Sequence, residues 1–138
     1  MLRLNPYLSF QGEAREAMEF YRSMLGGELE LSTFGDYPDN GLTDEQQSLI
    51  MHAMLTTEDG LVLMGSDTPP GMPYAPPAGT SVSLSGDDGD RLQRCWDALA
   101  DGGTVTLPYA PAPWGGTFGM LTDRFGVGWL VNVAAPTS

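Results

Sequence analysis

Gly26-Gly27-Glu28-Leu29-Glu30-Leu31 and Gly102-Gly103-Thr104-Val105-Thr106-Leu107 are the stretches on which the fold turns. Each joins a glycine pair to a run that alternates polar and apolar residues. The glycines end a helix, because glycine takes the left-handed C′ geometry at little cost. The alternation is that of a half-buried strand. Ahead of the first pair, Ala14, Ala17, Met18, Tyr21, Met24 and Leu25 recur at helical spacing. Ahead of the second, Leu92, Cys95, Trp96, Leu99 and Ala100 do the same. The two stretches lie at an offset of 76, and Leu8-Ser9 returns as Leu84-Ser85 at that same offset. Met54-Leu55-Thr56 with Gly60 returns as Met120-Leu121-Thr122 with Gly126 at an offset of 66. The shared order of these matches indicates a duplicated unit.

Each copy spells βαβββ. The first predicts a strand over Leu4–Phe10, with Pro6 at an edge or near the start. A helix over Glu13–Leu25 follows, then strands over Glu28–Ser32, Ser48–Thr56 and Leu61–Gly65. Asp36–Glu45, carrying Pro38, Asn40 and Gly41, reads as a loop, and Glu58-Asp59-Gly60 as a tight turn. Thr68–Gly79 holds five prolines and reads as a stiff connector. The second copy predicts strands over Thr80–Ser85, Thr104–Leu107, Phe118–Thr122 and Val127–Val133, with a helix capped by Asp87 or Asp88. The expected fold is α+β: one domain over 1–138, with module one at 1–67, the connector at 68–79 and module two at 80–138.

Composition narrows the function. The chain has 138 residues, 18 acidic and 6 basic, for a net charge of −12. Such a surface repels phosphate, so neither nucleic acid nor an anionic membrane is an expected partner. No stretch approaches the roughly 18 apolar residues of a membrane span. The polar start and the lone Cys95 fit a cytoplasmic protein and exclude an internal disulfide.

The chain resembles the vicinal oxygen chelate superfamily of glyoxalases, bleomycin-resistance proteins and extradiol dioxygenases, and within it the PhnB-like branch. The resemblance is carried by Asn5–Gly12, Phe20-Tyr21, Gly26-Gly27-Glu28, Met51-His52-Ala53, Leu63–Asp67, Gly102–Val105, Trp114-Gly115 and Asp123-Arg124-Phe125-Gly126-Val127-Gly128-Trp129. It implies two βαβββ modules whose curved mixed sheets form a cleft, and a symmetric homodimer. Some relatives bear names implying ubiquinone methyl transfer or DNA binding. No glycine-rich cofactor loop follows a strand here, and the charge opposes DNA.

In metal-binding members each module lends one ligand from its first strand and one from its last. The resemblance maps these positions to Asn5, Met64, Ser81 and Leu130. Amide, thioether, hydroxyl and alkyl groups are poor ligands for a divalent ion, so neither a metal nor another cofactor is expected. A register shifted to Asn132 adds only one weak amide.

The expected ligand-binding residues are Tyr7, Phe10, His52, Met64, Trp114, Phe118 and Trp129. The rings offer apolar area, Trp114 stands in a Pro/Gly-rich loop, and methionine adapts to irregular ligands. His52, the sole histidine, is the candidate catalytic residue, because its unperturbed titration lies near neutrality. Met51, Met54, Met64 and Met120 are expected to pack the core, with a soft pocket as the alternative, and Cys95 is expected in the core. Asp67 reads as a carboxylate at the start of a loop. Four of the six arginines fall on the predicted helices and only Arg124 is placed near a cleft mouth, so a charged ligand is expected to be a cation. The expected function is metal-free binding of a small apolar or aromatic molecule in a sheet-lined cleft. The alternative is a metal-dependent glyoxalase- or dioxygenase-like enzyme using His52.

Overall fold

A computed structural model describes residues 2–37 and 41–135. Pro38, Asp39 and Asn40 of the expected acidic loop lie outside the described residues. The chain divides into two compact units, Met1–Pro76 and Pro77–Ser138, with the division inside the proline-rich connector.

In unit 1, β1 (Tyr7–Phe10), α1 (Ala14–Leu25), β2 (Glu28–Thr33), β3 (Ile50–Thr56) and β4 (Val62–Asp67) follow in order. The sheet order is β1-β4-β3-β2, with β1 parallel to β4 and the other pairs antiparallel. In unit 2, β5 (Val82–Gly86), α2 (Gly89–Ala100), β6 (Thr104–Pro111), β7 (Thr117–Thr122) and β8 (Gly128–Val133) give β5-β8-β7-β6 with the same senses. The duplicated βαβββ unit read from the sequence is therefore the architecture. Gly60 and Gly126 hold equivalent turns, each with positive φ and each donating its N–H three residues back, to Thr57 and Asp123.

One helix packs on one face of each sheet. On α1, Ala14, Ala17, Met18 and Tyr21 are buried against Leu8, Phe10, Ile50, Ala53 and Leu55. Each large apolar side chain so enclosed stabilises the fold by roughly 1.5–3 kcal/mol relative to exposure. On α2 the buried set is Leu92, Cys95, Trp96 and Leu99. Trp96 stacks on Tyr109 of β6, with ring centroids 5.0 Å apart. Gly119 leaves room for that pair: a Cβ there would lie 2.8 Å from the Trp96 ring and 2.8 Å from Tyr109 Cα.

Several boundaries move. The first strand begins at Tyr7, not Leu4, since Pro6 has no N–H to give a ladder and Asn5 folds its amide onto the Pro6 carbonyl. β6 runs to Pro111 rather than Leu107, because an edge strand with bulges tolerates Pro108 and Pro111. Residues 46–48 form a 3-10 turn ahead of β3. Asp67 ends β4 instead of opening a loop and is 2% exposed.

Candidate functional site

Alternation along the strands sends one set of side chains under the helix and the other to the open face of each sheet. In sheet 1, Ala53, Leu55, Leu63, Leu8 and Phe10 go under α1. The opposite parity brings His52, Met54, Met64, Ser66, Tyr7 and Ser9 to the open face, across from Glu30 and Ser32 of β2. The register lays Tyr7, Met64, Met54 and Glu30 in one row across four strands.

The rings of Tyr7 and His52 bridge that face. Their centroids stand 5.8 Å apart in a stacked arrangement, and Tyr7 Oη lies 3.2 Å from His52 Nδ1. Tyr7 remains 51% exposed. Beside them, the Arg3 guanidinium donates to Met54 Sδ at 3.6 Å. Unit 1 thus gathers a phenol, an imidazole, two thioethers and a cation on one open surface.

Unit 2 has its own aromatic face. Phe118, Met120 and Leu130 share the open side of sheet 2 with Ser83, Ser85 and Asn132. Trp114, 65% exposed, meets Phe118 edge-on with centroids 5.4 Å apart. Around this pair lies a pocket of about 210 Å³, walled by Leu107, Pro108, Ala110 and Pro113. Asn132 sits beside Phe118 in the register, and its Oδ1 is buried with no hydrogen-bond partner among the described residues.

The expected residues therefore separate. Tyr7, His52 and Met64 meet in unit 1, and Trp114 and Phe118 meet in unit 2. Phe10 and Trp129 go elsewhere. Phe10 is fully enclosed, its ring facing Gly65 on the α1 side, and Trp129 is 1% exposed with its Nε1 donating to Asp123 Oδ2 at 2.9 Å. Strand parity is the physical reason: both share a face with the residues buried under their helix. Met54 and Met120 are the converse: expected in the core, they reach the open faces because they share the parity of His52 and Leu130. That signal is present in the sequence. Arg3 lies in irregular chain ahead of β1, where no periodicity announces a side chain's direction. Arg124, expected near a cleft mouth, lies over the Phe125 ring, 5.3 Å from its centroid.

The positions that the fold family uses for metal do not fit one here. The Asn5 amide nitrogen is bonded to Pro6 O, Met64 offers a thioether, and Ser81 and Leu130 offer a hydroxyl and no donor at all. Among the described residues no three His, Cys, Asp or Glu side chains cluster as metal ligands would. In the polar hollow at the start of α1, Asp67 is structural: its two carboxylate oxygens accept three backbone N–H groups. No helix among the described residues is long and apolar enough to cross a membrane.

Comparison with known proteins agrees with this architecture. The family model described as 3-demethylubiquinone-9 3-methyltransferase matches residues 3–132. Protein PA1353 from Pseudomonas aeruginosa is 43% identical, with a TM-score of 0.89 over 99% of this chain and 100% of its own. The PhnB protein from Bacillus cereus, a putative 3-demethylubiquinone-9 3-methyltransferase by its description, is 25% identical, with a TM-score of 0.74 over 96% of this chain and all of its own. A glyoxylase/bleomycin resistance protein/dioxygenase domain from Frankia shares the fold at 16% identity and a TM-score of 0.64, over 97% and 98% of the two chains. The chain belongs to the family described as 3-demethylubiquinone-9 3-methyltransferase, and its fold is that of the glyoxylase/bleomycin resistance protein/dioxygenase domain.

Proposed function

We propose that the protein binds a small apolar or aromatic molecule on the open face of its sheet, without the family metal. The observation that supports this best is the Tyr7–His52 pair, stacked and hydrogen-bonded on a face that also carries Met54 and Met64. Soluble monomers place large apolar area outside sparingly, and an exposed ring beside adaptable thioethers is suited to receive a ligand's flat body. The Trp114–Phe118 pocket in unit 2 is a second surface of the same character.

Methyl transfer, which the family description names, is not part of this reading. In unit 1 the Gly12 and Ala14 amides leading into α1 already donate to Asp67, so these two are not open to an anionic group.

The reading predicts that a compound from a screen of small aromatics raises the melting temperature in the presence of a chelator. Tyr7→Ala should abolish that rise. A screen with no rise for the wild type, or an equal rise for Tyr7→Ala, counts against it.

The hydrogen bond between Tyr7 and His52 favours a second reading, an enzyme in which His52 moves a proton and Tyr7 sets its tautomer. Turnover that needs a stoichiometric divalent ion, and that falls with His52→Gln, would support this one instead. We further propose a cytoplasmic homodimer. Exposed Tyr7, Met72, Leu107 and Trp114 support the association. Sedimentation at micromolar concentration should give twice 14.8 kDa, and a monomer alone would rule the dimer out.

A further inference from the structure

We propose that the ligand carries a carboxylate, and that Arg3 and the Tyr7–His52 pair receive it on the open face of sheet 1. This rests on the reading of that face as the ligand surface and adds the chemistry it selects.

Arg3 is the first reason. Its guanidinium has five N–H donors, and the bond it makes is to a thioether, Met54 Sδ at 3.6 Å. A thioether is a weak acceptor that leaves most of the cation's donor capacity unspent. Among the described residues no carboxylate is paired with it. In a chain with three acidic residues for every basic one, an arginine that rests on a methionine is conspicuous. A carboxylate is the acceptor whose geometry matches the guanidinium fork.

The Tyr7–His52 pair is the second. A phenol and a neutral imidazole hold two polar hydrogens between them, and the 3.2 Å bond between Oη and Nδ1 consumes one. If Tyr7 donates to Nδ1, His52 keeps an Nε2–H; if Nδ1–H donates to Oη, Tyr7 keeps its O–H. Either tautomer leaves one donor for a ligand oxygen, and the described residues supply no other side-chain partner for either ring's polar atoms.

Proximity is the third. Met54 and His52 are two residues apart on β3 and share a face, so their Cα atoms are about 6.6 Å apart. The cation seated on Met54 and the donor of the pair are thus neighbours, with Met64 next to Met54 in the row. An arene lying over Met64 would set a carboxylate substituent near both. Glu30 opposes this from β2, where it faces Met54. The local donors thus reverse the preference for cations that the net charge of −12 suggests.

The test uses untagged full-length protein and three probes of one shape: naphthoate, naphthalenemethanol and naphthylmethylamine. His52 is the only histidine, so its imidazole resonances report the face without ambiguity. Naphthoate should shift them and bind about tenfold tighter than the alcohol, with the amine weakest. Arg3→Gln should bring the acid to the affinity of the alcohol while leaving the alcohol unchanged, and Glu30→Gln should tighten the acid. If acid and alcohol bind alike, or if Arg3→Gln weakens both equally, the carboxylate assignment is overturned while the ligand face stands. If none of the three probes moves the His52 resonances, the ligand-face reading falls and takes this inference with it.

Discussion

Asp67, the last residue of β4, accepts the backbone N–H of Ala14, the first residue of α1, at 3.0 Å. The same Oδ1 accepts from Gly12 N at 2.8 Å, and Oδ2 accepts from Ile50 N at 2.9 Å. The helix has no cap from its own Glu13, so a carboxylate 53 residues away supplies it. One side chain therefore ties α1, β3 and β4 together, and a negative charge at a helix N-terminus also meets the helix dipole favourably.

Removing that carboxylate strands three backbone donors in a buried site. Asp67→Ala should cost on the order of 3–5 kcal/mol, and Asp67→Asn, which keeps one acceptor oxygen, on the order of 1–3 kcal/mol. Urea unfolding of both variants checks the ranking. A loss below about 1 kcal/mol for the alanine variant would mean that water replaces the cap.

The glycine pairs make a prediction about the duplication itself. A Cβ on Gly27 would lie 2.3 Å from the Thr56 carbonyl oxygen, and one on Gly103 would lie 2.5 Å from that of Thr122. These are the same place in the two units, where the chain leaving the helix passes under the end of the third strand. Gly27→Ala and Gly103→Ala should each destabilise by roughly 2–4 kcal/mol, because the obstacle is backbone and cannot rotate aside. Gly60→Ala meets nothing within 4 Å and suffers only its positive φ, so about 1 kcal/mol is expected. Equal losses at all three sites by thermal or urea unfolding would remove the steric explanation.

These positions show why the fold was legible and the site only partly so. A close backbone approach demands glycine and a half-buried helix demands 3.6-residue periodicity, so Gly26-Gly27, Gly102-Gly103 and both apolar helix faces leave marks in the sequence. Strand faces leave weaker ones. A ring suits either face of a sheet, so Phe10 and Trp129 read as ligand surface while they belong to the cores, and Met54 reads as core while it faces outward. The Tyr7–His52 contact joins strands 45 residues apart across an intervening strand, and nothing local encodes it. Asp67 was legible as a carboxylate of interest, but its three partners come from two other segments and only the folded chain assembles them.

Asn132 should be replaceable at a gain. Its Oδ1 is buried without a partner among the described residues, and an unsatisfied buried acceptor costs roughly 1–3 kcal/mol. Asn132→Leu keeps the volume and supplies apolar contact beside Phe118, so stability should rise by about 1 kcal/mol. Differential scanning calorimetry of the ligand-free protein measures this. A lower melting temperature would show that the amide is satisfied in solution by water or by rotation of its ring neighbour.

The alkaline limb of stability should belong to Cys95 and Tyr109. Burial pushes the Cys95 thiol above its ordinary range, against the opposing pull of Arg91 and Arg94. Burial also raises Tyr109, helped by the charges of Asp97 and Cys95. Both are groups whose folded value exceeds the unfolded one, so their contribution is fully present below the unfolded thiol value of about 8.5. Above it the unfolded chain releases its proton first, and stability falls as the pH climbs toward the folded values. The sequence contains no lysine, so no ammonium groups on side chains titrate in that window and obscure the effect. Urea unfolding at intervals from about pH 7 to 10 should give a flat region and then a decline. Cys95→Ser should delay the onset of that decline, and adding Tyr109→Phe should flatten what remains. If the serine variant declines from the same pH with the same slope as the wild type, the thiol is not the group responsible and its burial does not govern alkaline unfolding.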